Sequence, residues 1–470
     1  MSDYSYFNQR LGHIKQVIDN VSPSFCAAKW TQVTIHLQTG MTHSCHHPMQ
    51  HKIPLEEIKT NPSALHNTQY KKSLRAQMLE GTRPTECDYC WRVEDTEGTH
   101  FSDRILKTAE EWSYPYMHKI VNADPTDNTV PTYVEVSFGN GCNFKCSYCS
   151  PDISSKWMEE AVKFGPYNLQ GIKFNNIERL KELDRMPIPD REDNPYVDAW
   201  WQWWPELYPN LHTFRITGGE PLMNKNTFRT LDYIEANPNP NLNFAINTNL
   251  CLPDSIIDKT IEQLKRITTA NAVKKLHIYT SADTFGPQAD YIRHGMDYKQ
   301  WYANVQRIIK ECPDVSVTIM VTFNVLSLPM FKHFLEDIAA IKNDKNILRS
   351  EKRPHPLYVD FPYLRHPDFL SSLIANDEMK ASYTECINYI KQNLGHGHKH
   401  PDHYGFYQHE LHAAERIKHL LDNHKLDPEK LKRDRRNFAL FIEEHDKRRG
   451  TNFKVTFPEL IPFYMESRRA

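Results

Sequence analysis

The sequence lacks the apolar runs that membrane insertion and export require. No stretch approaches the roughly 20 consecutive apolar residues of a spanning helix, and the opening residues, MSDYSYFNQRLGHIKQ, contain no apolar core of the signal-peptide type. The chain also lacks an excess of either charge, because 57 Lys and Arg face 59 Asp and Glu. A balanced charge disfavours nucleic acid as a partner. We therefore expect a soluble, cytoplasmic protein without a membrane or nucleic-acid partner.

Cysteine is unevenly distributed: seven of the ten cysteines fall in tight groups before residue 150. In a chain without an export signal, such groups are typical of metal or redox ligands rather than of disulfides. The densest group comprises Cys142, Cys146 and Cys149, directly after a strand-like run at 133–138. This loop offers three thiolates to one inorganic centre and leaves one iron of a four-iron cluster without a protein ligand. The alternatives are unligated cysteines or a structural zinc site, which needs four ligands.

With an aromatic residue, Tyr148, before its third cysteine, the loop resembles the signature of the radical S-adenosylmethionine (radical SAM) superfamily. The resemblance implies that Cys142, Cys146 and Cys149 hold a [4Fe-4S] cluster whose free iron chelates S-adenosylmethionine (SAM), with Tyr148 among the cofactor-binding residues. Reductive cleavage of SAM then yields a 5′-deoxyadenosyl radical that abstracts a substrate hydrogen atom. The resemblance also implies an external electron donor such as flavodoxin or ferredoxin.

Strand-like runs alternate with helix-length stretches through the middle of the chain. Strands separated by helices predict βαβ units, and hence a parallel sheet with right-handed crossovers. The runs are rich in β-branched or aromatic residues and lie at 133–138, 213–217, 242–248, 276–281, 315–323 and 357–361. We predict an α/β fold: a partial (βα)6 TIM-like barrel at 131–375, preceded by a linker at 106–130 and followed by a helical C-terminal extension at 376–470.

The expected cofactor-binding residues of the barrel lie where strands end, as in related full barrels. A Gly-Gly-Glu-Pro segment follows the second strand; its glycines permit close backbone approach, and its carboxylate accepts a hydrogen bond from an ammonium group. The segment matches the family's GGEP motif, which contacts the amino group of SAM, whereas a lone glycine pair is more often a simple turn. The resemblance implies cofactor contacts for Gly218, Gly219, Glu220 and Pro221.

Two further groups follow the third and fourth strands. Thr248 and Asn249 are similar to the family's polar tip near the cofactor, although such a tip is also a good turn. Ser281, Asp283 and Arg293 resemble a segment of many SPASM/twitch enzymes, which implies contacts with the ribose or carboxylate of SAM. The planar guanidinium of Arg293 suits a carboxylate; its alternative role is an ordinary surface salt bridge.

Four cysteines lie before residue 100 and are separated by 18, 41 and 2 residues. The first two, Cys26 and Cys45, lie at the ends of a predicted hairpin that turns at Gly40, and the last two, Cys87 and Cys90, form a Cys-x-x-Cys knuckle. This spacing suits a second cluster with full protein ligation. The segment resembles the twitch module, a shortened SPASM domain, although the module usually follows the barrel and here precedes it, at 1–105. The matching residues are Cys26, Trp30, Gly40, Cys45, Arg75, Cys87 and Cys90. The resemblance implies an auxiliary [4Fe-4S] cluster on the four cysteines.

A zinc knuckle is the competing interpretation of this segment. It would use Cys87 and Cys90 with Cys45 and one nearby histidine, drawn from His43, His46 and His47.

Other features of the sequence have structural interpretations. Four tryptophans at 200–204 are expected to be packing anchors, and the histidine-rich loop at 395–403 is expected to be solvated. The isolated Cys251, Cys312 and Cys386 are expected to behave as small hydrophobes.

Three classes of function are consistent with these motifs. The first is oxidative modification of a peptide or protein side chain, which SPASM/twitch modules often accompany. The second is dehydrogenation or rearrangement of a small polar metabolite such as a sugar or amino acid. The third is a non-catalytic iron-sulfur scaffold, which the complete cysteine motif and GGEP segment oppose. No winged-helix peptide-binding module is visible in the sequence, which weakens the first class.

Overall fold

The computed structural model describes residues 3–98, 100–348, 353, 355–395 and 405–470. Most of the histidine-rich loop, residues 396–403, lies outside the described residues. The strands are β1 Gln32–His36, β2 Met41–His43, β3 His51–Lys52, β4 Tyr133–Ser137, β5 Lys145–Cys146, β6 Tyr167–Leu169, β7 Ile172–Phe174, β8 Thr213–Thr217, β9 Asn239–Asn247, β10 Val273–Ser281, β11 Arg293–His294, β12 Val315–Met320 and β13 Leu357–Asp360.

The α-helices lie between these strands and after the last of them. They are α1 Asp3–Val21, α2 Ala28–Thr31, α3 Leu55–Thr60, α4 Gln69–Leu79, α5 Asp88–Glu94, α6 Asp103–Thr108, α7 Met117–Val121, α8 Ser155–Phe164, α9 Ile177–Glu182, α10 Pro195–Leu207, α11 Lys225–Ala236, α12 Asp254–Thr269, α13 Gly286–Ile292, α14 Tyr298–Glu311, α15 Phe331–Lys342, α16 Asp377–Gln392, α17 Gln408–Asn423, α18 Pro428–Arg449, α19 Phe453–Thr456 and α20 Ile461–Arg469. Among the described residues, no helix combines the length and apolar character that crossing a bilayer demands.

The chain divides into two compact units, of which the first comprises Met1–Asn140, Asp184–Thr227 and Asn239–Phe244. In this unit β1 pairs in parallel with β4, and β4 pairs in parallel with β8. Strand β2 runs antiparallel to β1, which confirms the predicted hairpin around Gly40. The first strand of that hairpin also extends the parallel sheet beside β4, a pairing that the sequence did not predict.

The two faces of this sheet differ in character. One face carries buried apolar side chains, including Val33, Val134 and Phe214. Against it packs α10, with the Trp200 and Trp204 rings 5.9 and 5.1 Å from the Phe214 ring. Both tryptophans are buried, as expected of packing anchors. The opposite face carries polar side chains, although parallel strands covered on both sides are usually apolar throughout.

A second core lies near the N-terminus of the same unit. Helix α1 presents Leu11, Ile14 and Ile18 on one face, at the i, i+3 and i+7 spacing of an amphipathic helix. These side chains belong to a buried cluster with Trp30 and Trp91. The segments that carry the first group of cysteines are therefore anchored by apolar packing.

The second unit comprises Gly141–Leu183, Phe228–Pro238 and Ala245–Ala470. Here β10 pairs in parallel with β12, and β12 with β13. At the carboxyl end of β9, the amide of Thr248 donates to the carbonyl of Tyr279 at 2.8 Å. All six strand-like runs of the predicted barrel are strands, and helices fill most of the region after residue 376. The predicted α/β fold class, with parallel strands and a helical C-terminal region, is confirmed.

Candidate active site

The loop with three cysteines lies in the second unit and is held by short backbone pairing. Cys146 lies in β5, which pairs antiparallel with β11 so that Cys146 faces Arg293. Ser147 donates both its amide and its hydroxyl to the carbonyl of Ile292, at 2.8 and 3.0 Å. The amide of Cys149 donates to the carbonyl of Cys146 at 2.9 Å. The loop is therefore fixed to the segment that follows β10.

Several residues that the sequence predicted separately meet beside this loop. A guanidinium nitrogen of Arg293 lies 3.8 Å from the Cys146 sulfur, and another donates to Asp283 Oδ1 at 2.9 Å. The Tyr148 hydroxyl donates to Asp283 Oδ2 at 2.7 Å. Asp283 and Arg293 are both buried, so Arg293 is part of an internal network rather than of a surface salt bridge. The network places one cation next to a cysteine sulfur.

The chemistry of the three thiols fits a metal centre. Burial raises the pKa of both the Cys146 and the Cys149 thiol, and neighbouring cysteines raise that of Cys149 further. Buried thiolates therefore need nearby positive charge, which Arg293 supplies in part at Cys146. A bound metal cluster would supply the rest of the positive charge, because thiolates rather than thiols bind metals. The donor set of Cys142, Cys146 and Cys149 consequently fits an iron-sulfur cluster.

The polar tip after β9 also reaches the cysteine loop. The Asn249 side chain donates to the side-chain oxygen of Asn143 at 2.7 Å, and Asn143 in turn donates to the carbonyl of Cys251 at 2.7 Å. Thr248 accepts a hydrogen bond from the amide of Leu250 at 3.2 Å, as a turn residue would. Asn249 therefore contacts the cysteine loop, whereas Thr248 shapes the turn. Ser281 is the last residue of β10, two positions before Asp283.

The GGEP segment lies in the first unit, directly after β8. Gly218 has a φ of +128°, and a Cβ added there would lie 2.5 Å from the Ser137 hydroxyl, so both conformation and space require glycine. Gly219 follows and donates its amide to the carbonyl of Gly139 at 3.5 Å. Glu220 is buried, and its carboxylate accepts the amide of Leu222 at 3.0 Å. Pro221 begins the short 3-10 helix that this carboxylate caps.

The four N-terminal cysteines line a single cavity in the first unit, together with several charged residues. The cysteines are Cys26, Cys45, Cys87 and Cys90, and the charged residues are Lys29, Asp103, Arg104 and Lys107. Burial, together with a smaller contribution from neighbouring cysteines, raises the pKa of the Cys87 thiol to about 11 and that of the Cys90 thiol to about 12. The four cysteines thus line one cavity; Cys90 is buried and the other three are half-buried.

The nearby histidines have other partners. His47 Nε2 lies 2.7 Å from Asp103 Oδ2, and its ring stacks on Tyr89 at 3.6 Å. His43 bonds to the backbone carbonyl of Cys45, and His46 lies 3.9 Å from Glu135. Within the part of the chain that the structure describes, no three His, Cys, Asp or Glu side chains converge as ligands of one metal ion. This finding includes the cysteines as well as the histidines, so it does not distinguish a zinc knuckle from a cluster on Cys26, Cys45, Cys87 and Cys90.

One contributor to the cysteine loop had no detectable sequence signal. Arg449, at the end of α18, donates to the carbonyl of Lys145 at 2.6 Å and forms an ion pair with Glu160 at 3.0 Å. Trp157, from α8, donates its indole N–H to the carbonyl of Cys146 at 2.7 Å. Because Arg449 lies some 300 residues from the loop in sequence, neither motif nor spacing relates the two.

Comparison with known proteins agrees with the motif. Residues 136–338 match the model of the radical SAM superfamily. No curated protein matches the chain. Among solved structures, Streptococcus suis SuiB bound to S-adenosylmethionine is 13% identical over 78% of this chain and 71% of that one, with a TM-score of 0.35. SuiB bound to the precursor peptide SuiA is 11% identical over 77% and 69% of the two chains, with a TM-score of 0.34.

The matched segment contains the three-cysteine loop, the GGEP segment and the network of Tyr148, Asp283 and Arg293. Its first residues form the end of β4 and its last belong to α15, so it includes strands of both compact units. Motif, thiol chemistry and family model agree: this chain is a protein with a radical SAM domain, as its cysteine spacing predicted.

Proposed function

We propose that this radical SAM enzyme oxidatively modifies a peptide or protein side chain in the cytoplasm, with flavodoxin or ferredoxin as its electron donor. The observation that carries the proposal is the second cysteine set, because Cys26, Cys45, Cys87 and Cys90 line one cavity. A domain that only cleaves SAM needs one cluster, whereas net oxidation also needs an acceptor for a second electron.

The proposed cofactors are SAM and two [4Fe-4S] clusters, one on Cys142, Cys146 and Cys149 and an auxiliary one in the 1–105 module. When bound, they supply a 5′-deoxyadenosyl radical and an acceptor for the electron that remains after hydrogen abstraction. With both groups bound, the substrate would lose one hydrogen atom, one electron and one proton in total, which would be a two-electron oxidation.

The chain's own residues hold and orient these groups. Arg293 places positive charge 3.8 Å from the Cys146 sulfur, and Asp283 fixes that guanidinium at 2.9 Å. Asp283 also accepts the Tyr148 hydroxyl at 2.7 Å, which orients the aromatic ring expected to bind SAM. Glu220 supplies the buried carboxylate expected to accept the amino group of SAM. Each role follows from the family resemblance and is consistent with the local contacts.

The test is anaerobic reconstitution followed by three measurements: iron per chain, 5′-deoxyadenosine release with dithionite and SAM, and the mass of candidate peptides after reaction. A variant with Cys142, Cys146 and Cys149 replaced by alanine is the matched control. We expect about eight irons in the wild type and about four in the variant, with nucleoside release in the wild type alone. A peptide mass loss of about 2 Da identifies the oxidation.

Other outcomes separate the competing functions. About four irons in the wild type, with zinc on the N-terminal cysteines, would exclude the electron-acceptor role. Turnover of a small sugar or amino acid with unmodified peptides would favour the second class of function. A full complement of iron without nucleoside release would make the chain a cluster scaffold.

A further inference from the structure

A cavity of about 670 Å³ lies in the second unit, beside the three-cysteine loop. Tyr148 and Cys149 of that loop line it. Directly after β7, the side chain of Asn175 donates to the carbonyl of Cys149 at 3.0 Å, which links the hairpin of β6 and β7 to the loop. Ligand sites commonly have volumes of roughly 300–1,000 Å³. The cavity is therefore large enough for part of a substrate and adjoins the loop that is expected to hold the cluster.

The hairpin and the segment after β13 supply an apolar wall of this cavity. Ile172 and Phe174 are alternate residues of β7, so their side chains lie on the same face of the hairpin. Both line the cavity together with Phe369, which is buried. The rings of Phe174 and Phe369 meet edge to face, with their centroids 5.3 Å apart. The wall thus offers apolar surface to the carbon atoms of a ligand.

Helix α18 supplies a polar wall. Arg433, Asp434 and Asn437 line the cavity and share one face of the helix, because they are three or four positions apart. Asp434 and Asn437 are buried, whereas the side chain of Arg433 is 52% exposed. The amide of Gln170 donates to Asn437 Oδ1 at 2.7 Å, and Asn437 Nδ2 donates to the carbonyl of Gln170 at 3.2 Å. This exchange fixes the helix to the hairpin and leaves Arg433 as the accessible part of the wall.

Both acidic side chains of the cavity already have cationic or imidazole partners. Lys430 Nζ lies 2.6 Å from Asp434 Oδ2 and also forms an ion pair with Asp368. His366 Nδ1 lies 3.0 Å from Asp368 Oδ1. Arg433 Nε lies 3.6 Å from Asp434 Oδ1, beyond hydrogen-bonding distance, and this is its nearest ionic contact among the residues that the structure describes. The charge that lacks a close partner in the cavity is therefore positive.

We infer that this cavity binds the substrate peptide through a carboxylate, with Arg433 as the anchor. A guanidinium presents its N–H donors as a planar fork that matches the two oxygens of a carboxylate. The apolar wall then covers the neighbouring carbon atoms of the peptide. The inference rests on the proposed function and deepens it, because it specifies that the peptide carries an acidic side chain or a free C-terminus near the residue that is modified.

The experiment measures tripeptide binding to the reconstituted full-length enzyme in the presence of SAM and without reductant. The readout is the rise of the thermal unfolding midpoint with tripeptide concentration, which gives the Kd. Acetyl-Gly-Glu-Gly-amide carries its carboxylate in a side chain, acetyl-Gly-Gly-Gly carries it at the C-terminus, and acetyl-Gly-Gln-Gly-amide carries none. We expect at least one of the two acidic probes to raise the wild-type midpoint and the neutral probe to leave it unchanged, and the more effective acidic probe identifies the source of the carboxylate.

Substitutions on α18 test the anchor. Arg433→Met is expected to raise the Kd of the acidic tripeptide about tenfold, because it removes a charge-assisted contact at a partly exposed site. Arg433→Lys is expected to retain part of the affinity, since an ammonium keeps the charge but not the fork. The matched control is Lys432→Met, which removes the same charge from an exposed neighbouring residue outside the cavity lining. Its Kd is expected to equal that of the wild type.

Several results would overturn the inference. They are a wild-type midpoint that neither acidic probe raises, equal stabilisation by the neutral probe, an unchanged Kd in Arg433→Met, and an equal loss of affinity in Lys432→Met. A midpoint rise with SAM alone that Arg433→Met abolishes would also overturn it, because the bound carboxylate would then belong to SAM.

These readouts use neither nucleoside release nor peptide oxidation. Binding of acidic tripeptides by an enzyme that releases no nucleoside would support the cavity and exclude the radical chemistry. Nucleoside release and peptide oxidation without acidic selectivity would do the reverse. Failure of the inference is therefore distinguishable from failure of the proposed function.

Discussion

Replacing Arg449 with methionine is expected to loosen the three-cysteine loop from a distance. The side chain of Arg449 is fully buried and forms an ion pair with the side chain of Glu160, which is 2% exposed, while donating to the backbone carbonyl of Lys145. Its guanidinium also lies over the Trp157 ring, 4.6 Å from the ring centroid. The substitution removes all three interactions and leaves the carboxylate of Glu160 buried.

The contacts set the size of the effect. Removing one partner of a buried pair costs about 3–5 kcal/mol, because the remaining charge is uncompensated. Glu160 keeps the ammonium of Lys145 at 2.9 Å and the hydroxyl of Tyr167 at 2.7 Å. We therefore expect a loss near the lower end, about 3 kcal/mol, in the free energy of unfolding of the second unit.

The pH dependence follows from Glu160. Burial by itself would raise the pKa of Glu160, but Arg449 and the other hydrogen-bonding partners lower it from 4.5 to about 2. A lowered carboxyl pKa stabilises the fold above the unfolded value, and that stability is lost as the pH falls through the folded value. The difference in free energy of unfolding between wild type and variant should persist at neutral pH. It should shrink as the pH falls from 4.5 toward about 2.

The assay combines urea unfolding with the rate at which iron passes from the reconstituted enzyme to a chelator. The matched control is Arg433→Met on the same helix, because Arg433 is 52% exposed and lies 3.6 Å from Asp434. We expect faster iron loss and lower stability for Arg449→Met alone, with partial rescue in Arg449→Lys. Equal iron loss and stability in Arg449→Met and Arg433→Met would refute the reasoning.

Three further predictions concern charge near the sulfurs and a buried acid. Arg293→Met removes a cation 3.8 Å from the Cys146 sulfur, so the reduction potential of that cluster should fall in potentiometric titration; an unchanged potential would contradict the role. Lys29→Met should lower the potential of the proposed auxiliary cluster in the same way, because the buried ammonium of Lys29, which is ion-paired with Glu86, lowers the pKa of the Cys87 thiol; Lys29→Arg should retain the wild-type potential. Burial raises the pKa of Asp290 to about 6, which destabilises the fold as the pH rises from 3.8 through that value. Asp290→Asn should therefore raise stability at pH 7.5 by about 1 kcal/mol, after allowance for partial exposure, and a gain that does not shrink toward pH 4 would contradict this origin.

The local sequence pattern was sufficient to predict the strands and the fold class and to identify the cysteine motif. Each barrel strand is a short β-branched or aromatic run between helical segments, so its identity depends on neighbouring residues alone. The spacing of Cys142, Cys146 and Cys149 is likewise a local property, because one short loop must present all three sulfurs. The family model then matched the segment that contains this loop.

The contacts that support the site depended on tertiary structure. Arg449 and Lys145 are brought together only because α18 packs back against the cysteine loop, and no periodicity in either segment encodes that contact. Likewise, the parallel pairing of β1 with β4 sets Thr34 beside Glu135, although about a hundred residues separate them. The sequence by itself determined which residues we propose to carry the chemistry, since ligand type and spacing are local. Only the tertiary structure decided which distant charges lie beside the cysteine loop, because long-range contacts depend on how the elements pack.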